Sequence, residues 1–431
     1  MKTKVNTIFN NAGWMPALLA AIYLIALTEF SVLGNSNKNG NDSYLAVSGK
    51  IIDNETQKPI MFANVYVVGT FVGTVANSDG EFLLKVPKDK LNGNLGVTHL
   101  GYKNFSIEIS QLSNGVNEIK LEPEFVPLQE IIVRSEDPII LLKGAISNIS
   151  KNYRTYPVML KGFYRETIQQ NRKYVSIAEA VLDAYKAPYD NYANDRIKIV
   201  IGRKSQDVKR MDTIVVKLQG GPITPFYLDM VKNPESLLSE ENFKNYDYKL
   251  TGQIILGNTS CYVIEFNQKP GIELPLYAGK IYLDVDKLAV VGLEFRLSEY
   301  GLPLANSLFL MKKPLTLKFE TIGADYYVRY TESNGKWCLN YVRSELRFKC
   351  RWKKHLFKSS YIAMVEMAVT DIDTATITKY PLKETTRFSD IFSDKVENFI
   401  NPEFWGDYNI IKPDESIQSA IEKLGKKLKR K

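Results

Sequence analysis

From Tyr44 onward the chain consists of short runs in which apolar and polar residues alternate, broken by clusters of glycine, asparagine, aspartate and proline. YLAVSGKIID, MFANVYVVG, EFLLKV and NLGVTHLGY all fall within residues 44–102. A period of two puts successive side chains on opposite faces of an extended chain, so such runs bury a face only by pairing as strands and packing on a second layer. The pattern predicts a mainly β protein with antiparallel sheets and few helices. At 431 residues, 45% hydrophobic and 24% charged, the chain can form two or three cored domains and is no disordered tail protein.

The first 34 residues follow a different rule. Lys2 and Lys4 precede an apolar stretch at residues 14–27, and Val32 and Gly34 stand as a −3/−1 pair. This is the layout of a signal peptide over residues 1–34, since the stretch falls short of the roughly 20 apolar residues of a membrane-spanning helix. No cysteine lies near the junction to carry a lipoprotein anchor. Residues 35–43 (NSNKNGNDS) read as a flexible tether. The net charge of +8 is concentrated in the last eleven residues, IEKLGKKLKRK, which leaves the body nearly neutral and argues against nucleic acid as a partner.

Within residues 44–124, Gly49, Asp53, Pro59, Ala63, Asn64, Val65, Gly69, Thr70, Gly73, Thr74, Asp79, Gly80 and Phe82, followed by Gly101 and Tyr102, form a spaced pattern. It resembles that of the carboxypeptidase regulatory-like domain. The resemblance implies a seven-stranded, prealbumin-like β-sandwich. It does not bring peptidase chemistry with it. Zinc carboxypeptidases open their metal site with His-x-x-Glu, whereas His99 is followed at +3 by Tyr102 and His355 by Lys358. A calcium loop at Asp79-Gly80 fails as well, because Val75 and Val86 stand where it needs acidic ligands. The expectation is a non-enzyme, with no catalytic, cofactor-binding or metal-ligating residue and no cofactor.

After a linker at residues 125–136, residues 137–404 read as a larger antiparallel, curved-sheet domain with a few helices. Asp137 and Pro138 supply an N-cap and a first helical residue, and Leu142, Ile146, Ile149 and Tyr153 then fall on one stripe. Alternating arms flank residues 169–173, and Asn334-Gly335 between YYVRYTES and KWCLNYVR is a strong hairpin signal. Residues 220–244 break the alternation as a helical insertion or lid.

Three further resemblances concern the neighbourhood. PLQEIIVR at residues 127–134 resembles the segment after this domain in TonB-dependent outer-membrane transporters, although the remaining chain cannot hold their barrel and plug. Residues 257–297 resemble outer-membrane lipoprotein-sorting carriers, which implies an apolar cavity under helices. Residues 128–404 resemble segments joined to regulatory-like domains in Gram-negative envelope proteins.

Candidate chemistry is sparse. Glu166 and Glu179, on opposite arms of the first hairpin of the second domain, are the carboxylate pair to consider for acid and base work, against the plainer reading of a solvated hairpin face. Arg347, Lys349, Arg351 and Lys353 alternate with Leu346, Phe348, Cys350 and Trp352, a strip able to meet lipid phosphates or simply a solvated face. Cys338 and Cys350 share one strand, so twelve extended steps separate them by about 40 Å, far beyond the roughly 7 Å of a disulfide. A disulfide of Cys261 with either one remains open, and three buried free thiols are the expectation. Residues 405–431 are expected as a basic amphipathic helix capped by Asp414, with Ile417, Ile421, Leu424 and Leu428 on one stripe.

The reading is a non-enzymatic exported envelope protein, in the periplasm or on the periplasmic face of the outer membrane, that uses its regulatory-like domain as an interaction or assembly module. The alternative is a lipid or amphiphile carrier. Expected partners are an envelope protein or an amphiphile, with weak membrane-surface contact through the C-terminal helix.

Overall fold

The computed structural model describes residues 43–124, 137–207, 220–256, 259–306, 317–352, 358–398 and 404–429. The expected signal (1–34), the tether up to residue 42, the linker with its PLQEIIVR segment, Lys353 and His355 lie outside these residues.

Seven strands open the described chain: β1 (Tyr44–Asp53), β2 (Asn64–Val67), β3 (Gly73–Val75), β4 (Glu81–Pro87), β5 (Asn94–Thr98), β6 (Phe105–Glu108) and β7 (Val116–Leu121). They form two sheets, β4-β1-β7 and β3-β2-β5-β6, and so make the expected seven-stranded sandwich. The alternation decides its core: Phe82, Leu84 and Val86 of β4 are buried against Val65, Val67, Leu95 and Val97. The residues carrying the resemblance have structural tasks. A Cβ on Gly49 would sit 2.4 Å from the Phe82 ring, and Gly80 takes φ +74° with Ile51's carbonyl oxygen 2.5 Å from where a Cβ would stand. The Tyr102 hydroxyl donates to Asp53 Oδ2 at 2.7 Å, while Asp53 Oδ1 accepts from the backbone N–H groups of Glu55 and Thr56.

The third and larger sheet comprises β8 (Val158–Gln170), β9 (Lys173–Lys186), β10 (Arg196–Gln206), β11 (Tyr246–Leu256), β12 (Thr259–Gln268), β13 (Tyr277–Asp284), β14 (Val290–Leu297), β15 (Leu317–Ser333), β16 (Lys336–Trp352), β17 (Ser359–Asp373) and the two-residue β18 (Glu397–Asn398). Their order is β11-β12-β13-β14-β15-β16-β17-β8-β9-β10-β18, antiparallel throughout except where β18 runs parallel to β10. Both anticipated hairpin turns take left-handed backbone, at Asn171-Arg172 (φ 49° and 62°) and Asn334-Gly335 (φ 54° and 75°). Register shifts within β8–β9, β9–β10, β11–β12, β13–β14, β15–β16 and β17–β8 bend the strands.

One face of this sheet is filled. Leu160, Ala178, Leu182, Val328, Val342 and Met367 pack under α1 (Pro138–Ser147) and under the insertion, whose Phe226, Leu237 and Phe243 are buried with them. Asp137 caps α1 by accepting from Ile139 N–H at 2.9 Å. The anticipated stripe does not continue as one helix: α1 ends at Asn148, and α2 (Ile149–Asn152) is a separate turn leading to buried Tyr153. The insertion forms short turns around α3 (Thr224–Tyr227) and is pinned by a buried ion pair. Lys186 Nζ lies 2.8 Å from both Asp195 and Asp229, and Tyr330 donates its hydroxyl to Asp229 at 2.8 Å.

The opposite face carries one continuous row of charges. Cross-strand register aligns Lys249, Glu265, Lys280, Glu294, Tyr327, Arg343, Glu366, Arg165, Glu179, Arg203 and Glu397, one residue from each strand from β11 to β18. Sign alternates along the row, and at Tyr327 the gap is bridged by Arg329, which lies 4.0 Å from that ring and 2.5 Å from Glu294. Directly opposed unlike charges stabilise a sheet and fix its register. In the central strands the row is buried: Arg165 reaches Glu179 at 2.7 Å and Glu366 at 2.8 Å, and Arg203 reaches Glu179 at 2.7 Å.

Residues 404–414 cover that buried half as a strap, with a turn at 404–407 closed by Tyr408 N–H donating to the Trp405 carbonyl at 2.9 Å and a segment outside helix and strand at 408–414. Trp405 meets Phe163 edge-on at 5.4 Å and lies under Arg203, and the Ile411 carbonyl accepts from Arg165 at 2.7 Å. The same strap holds the sandwich. Thr74 donates to the Ile410 carbonyl, Asn409 exchanges hydrogen bonds with the Lys85 backbone, Lys412 pairs with Glu81, and Ser78 donates to Asp414. The C-terminal helix, α4 (Glu415–Lys429), therefore starts at Glu415 and not at residue 405, because the polar groups before it are spent on the sandwich. Asp414 caps it as anticipated, accepting from Ile417 N–H at 2.8 Å. Ile417, Ala420 and Leu424 bury against Ile177 and Met364, so the stripe docks on its own sheet, while the side chain of Leu428 lies outside the description.

Arg165→Met would strip Glu179 and Glu366 of their shared cation and leave the Ile411 carbonyl without its donor. Unpairing a buried charge of this kind costs about 3–5 kcal/mol. The expected result is a loss of that size in urea unfolding, with new protease cleavage in residues 404–414 at urea concentrations where the wild-type chain resists.

Candidate functional site

Where the strap ends, the charge row stays uncovered and the sandwich stands over it. A cavity of about 1470 Å³ opens between the two layers. Lys249, Glu265, Lys280, Glu294 and Arg343 of the row line its floor, with Arg296, Asp325, Glu345 and Arg347 beside them. Asp53, Lys58, Phe62, His99 and Tyr102 line its roof.

Two contacts set the height of this roof. Phe62 is held at φ +61°, a conformation costly for a bulky residue, with its ring 5.8 Å from Tyr341 and the Arg343 guanidinium 4.9 Å away. At the other end, Gly101 N–H donates to the Ile255 carbonyl of β11 at 3.0 Å, and Leu100 bridges to Leu256. Between these points the sheet residues remain half exposed; Lys280 and Glu265, 3.3 Å apart, keep 46% and 45% of their side-chain surface. The lining holds acidic and basic groups in near-equal number with aromatic rings among them. Such a surface can offer both hydrogen-bond donors and acceptors to a ligand, and a ligand of one sign gains little from it.

Of the candidate residues weighed in the sequence, His99 and Arg347 reach the cleft, His99 from the roof. Its Nδ1 lies 3.0 Å from the Leu100 carbonyl, and burial, reinforced by the Arg329 charge, lowers its pKa to about 4. It is therefore neutral at neutral pH and acts as a spacer against the Tyr102 ring, 5.4 Å away. Among the described residues no group of three or more histidine, cysteine, aspartate or glutamate side chains is placed to hold a metal ion.

The carboxylate pair Glu166 and Glu179 does not converge. In the hairpin register Glu179 opposes Arg165 and Glu166 opposes Ala178, so the two point to opposite faces. Neither is solvated. Burial would raise the Glu179 carboxyl, but Arg165 and Arg203 outweigh it and hold it below the ordinary value. Glu166 lies on the filled face without a cation, accepting from the Tyr164 hydroxyl at 3.0 Å, and burial pushes it up to about 8. The cationic strip of β16 alternates as expected, with Phe348 and Cys350 buried; Arg347 is taken by Asp325 at 2.5 Å, which leaves Lys349 and Arg351 exposed. All three cysteines are buried and free, and burial raises the thiol of Cys261 to about 12 and those of Cys338 and Cys350 to about 11.

The residues that sequence reading missed are those of the row itself. Their signal was present: once the turn after Asp284 fixes the β13–β14 register and β12 pairs with β13, Glu265, Lys280 and Glu294 fall opposite one another. Seeing it required strand pairs, because charges 14 or 15 residues apart show no local pattern.

Glu166 gives a pH prediction. Its folded pKa is raised above the unfolded value, so its contribution to stability is fully present below about 4.5 and is lost as pH rises through about 8. Glu166→Gln keeps the neutral form at every pH. Urea midpoints at about pH 5 and about pH 9 should fall further for the wild-type chain than for this variant; equal falls would show that Glu166 is not held protonated.

Residues 47–133 match the model of the CarboxypepD_reg-like domain. No curated protein matches the chain. Among solved structures, a LolA superfamily protein from Nitrosomonas europaea is similar at 10% identity and a TM-score of 0.23, over 58% of this chain and 97% of that one. Lipovitellin, described for its lipid–protein interactions, is similar at 10% identity and a TM-score of 0.25, over 58% of this chain and 28% of its own. Likenesses this distant decide nothing about the larger sheet. The part of the chain with an assigned family is thus residues 47–133, a CarboxypepD_reg-like domain seated on a broad antiparallel sheet.

Proposed function

We propose that this is a non-enzymatic exported envelope protein whose CarboxypepD_reg-like domain, fixed to the larger sheet, serves as an interaction or assembly module. The observation that carries this reading is the contrast between the two faces of the sheet. The face where a carrier would keep an apolar cavity is filled by side chains of the insertion and α1. The face under the sandwich is open, polar and rich in charge, which suits a protein partner better than an acyl chain. The N-terminal sequence supports export to the periplasm or the periplasmic face of the outer membrane. Among the described residues no helix is long and apolar enough to cross a membrane. Native mass spectrometry of the full chain extracted from envelopes should show a protein bound in fixed stoichiometry. A lipid-sized adduct in its place would overturn this reading in favour of the carrier.

The C-terminal helix adds weak contact with an anionic membrane surface. Its apolar stripe is already docked, so the attraction rests on exposed Lys423 and Lys426, with Arg172 and Lys173 across a groove of about 720 Å³. Each basic residue near such a surface contributes about 1 kcal/mol, screened within a Debye length. Co-sedimentation with phosphatidylglycerol-containing vesicles should weaken with salt and with Lys423→Glu plus Lys426→Glu. Binding indifferent to both would remove the membrane role.

A further inference from the structure

The open half of the charge row and its covered half are one surface, and the covered half already has an occupant. There the occupant is polypeptide, a turn at residues 404–407 followed by a segment outside helix and strand: the strap lays the Ile411 carbonyl on Arg165, sets Trp405 edge-on to Phe163 and against Arg203, and is gripped from above by Thr74 and the Lys85 backbone. Row below, sandwich above and a polypeptide segment between are the components of that interface. The open cleft repeats two of the three. Its floor is the same row, continued through Glu294, Lys280, Glu265 and Lys249, and its roof is the same sandwich.

We infer that the open cleft binds a polypeptide segment of a partner protein, bearing charges of both signs, in the way the covered half holds the strap. This rests on the reading of the chain as an interaction module and names the chemistry of its partner. Three features favour such an occupant. The cavity, at about 1470 Å³, exceeds the roughly 300–1,000 Å³ of small-molecule sites. Its alternating cations and anions match a main chain, which presents carbonyl acceptors and N–H donors in alternation, and they match side chains of both signs better than a polyanion or polycation. Phe62 and Tyr327, both half-buried, offer ring surface to the occupant's side chains. The cleft is also continuous with an interface that the fold already uses.

The test uses the full chain and fluorescent twelve-residue peptides. A repeat of Glu-Thr-Lys-Thr puts alternating charges on one face of an extended strand; Glu-Thr and Lys-Thr repeats of equal length are the single-sign controls. Anisotropy at low salt should show the mixed peptide binding more tightly than either control. Lys280→Glu with Arg296→Glu should weaken it by at least about tenfold, while Lys88→Glu, an exposed change on the sandwich away from the cleft, should leave it unaltered. Circular dichroism confirms that each variant is folded. Absence of binding, equal binding of a single-sign peptide, or no loss in the cleft variant overturns the inference. If native mass spectrometry still finds a stoichiometric protein partner, the module reading survives and the partner's segment lies elsewhere. A lipid adduct there removes the module reading itself.

Discussion

The arrangement of this protein depends on the row of alternating charges that crosses its larger sheet, and above all on the buried stretch from Glu366 through Arg165 to Glu179. Charges taken out of water need partners on every side. Arg165 has them, two carboxylates in the sheet and a carbonyl from the strap, and each of these is held from elsewhere: Glu179 by Arg203, Glu366 by Arg343 and Tyr341, and Ile411 by its neighbours in the strap. The strap cannot leave without taking from Arg165 the acceptor of one buried guanidinium nitrogen. While it stays, its other edge holds β4 of the sandwich through Asn409 and Lys412. The two layers are thus joined through residues nearly at the end of the chain.

The same economy separates the two faces of the sheet. On the filled face the polar exceptions, Lys186 with Asp195 and Asp229, and Glu166 with Tyr164, lie among apolar side chains and serve to fix the insertion and the hairpin. On the outer face, polarity is the rule, and cover is what varies along it. Where the strap lies the row is buried; where it does not, Lys280 and Glu265 remain half exposed beneath the sandwich. A surface built for cover and left uncovered on one side is a more specific feature than the cavity's size.

Much of the fold was legible in the sequence. Alternation in EFLLKV and in the arms around Asn334-Gly335 gave strands and register, because the period of two and a left-handed two-residue turn are local properties. The caps at Asp137 and Asp414 were legible for the same reason, since a carboxylate beside free N–H groups needs no distant partner. Less was legible of the site. Glu166 and Glu179 stood out as acidic residues on one hairpin, but the register that places them on opposite faces also gives Glu179 two arginines, one from β10, and hides Glu166 beneath the Phe392–Lys395 turn's neighbourhood of Ser393.

What the sequence by itself determined were the quantities that follow from neighbours in the chain: the mainly β class, the sandwich carried by Gly49, Asp53, Gly80 and Tyr102, the hairpins and the helix caps. It also set the alternation that sends the charges of each strand to one face. Only the tertiary structure decided that these charges line up across strands far apart in the chain, that residues 404–414 lie over them, and that the sandwich closes above the remainder. The reason is physical. A charge in one strand has no preferred partner until the sheet closes, and whether it ends as a buried ion pair or as the floor of a cleft depends on which segment, hundreds of residues away, comes to lie over it.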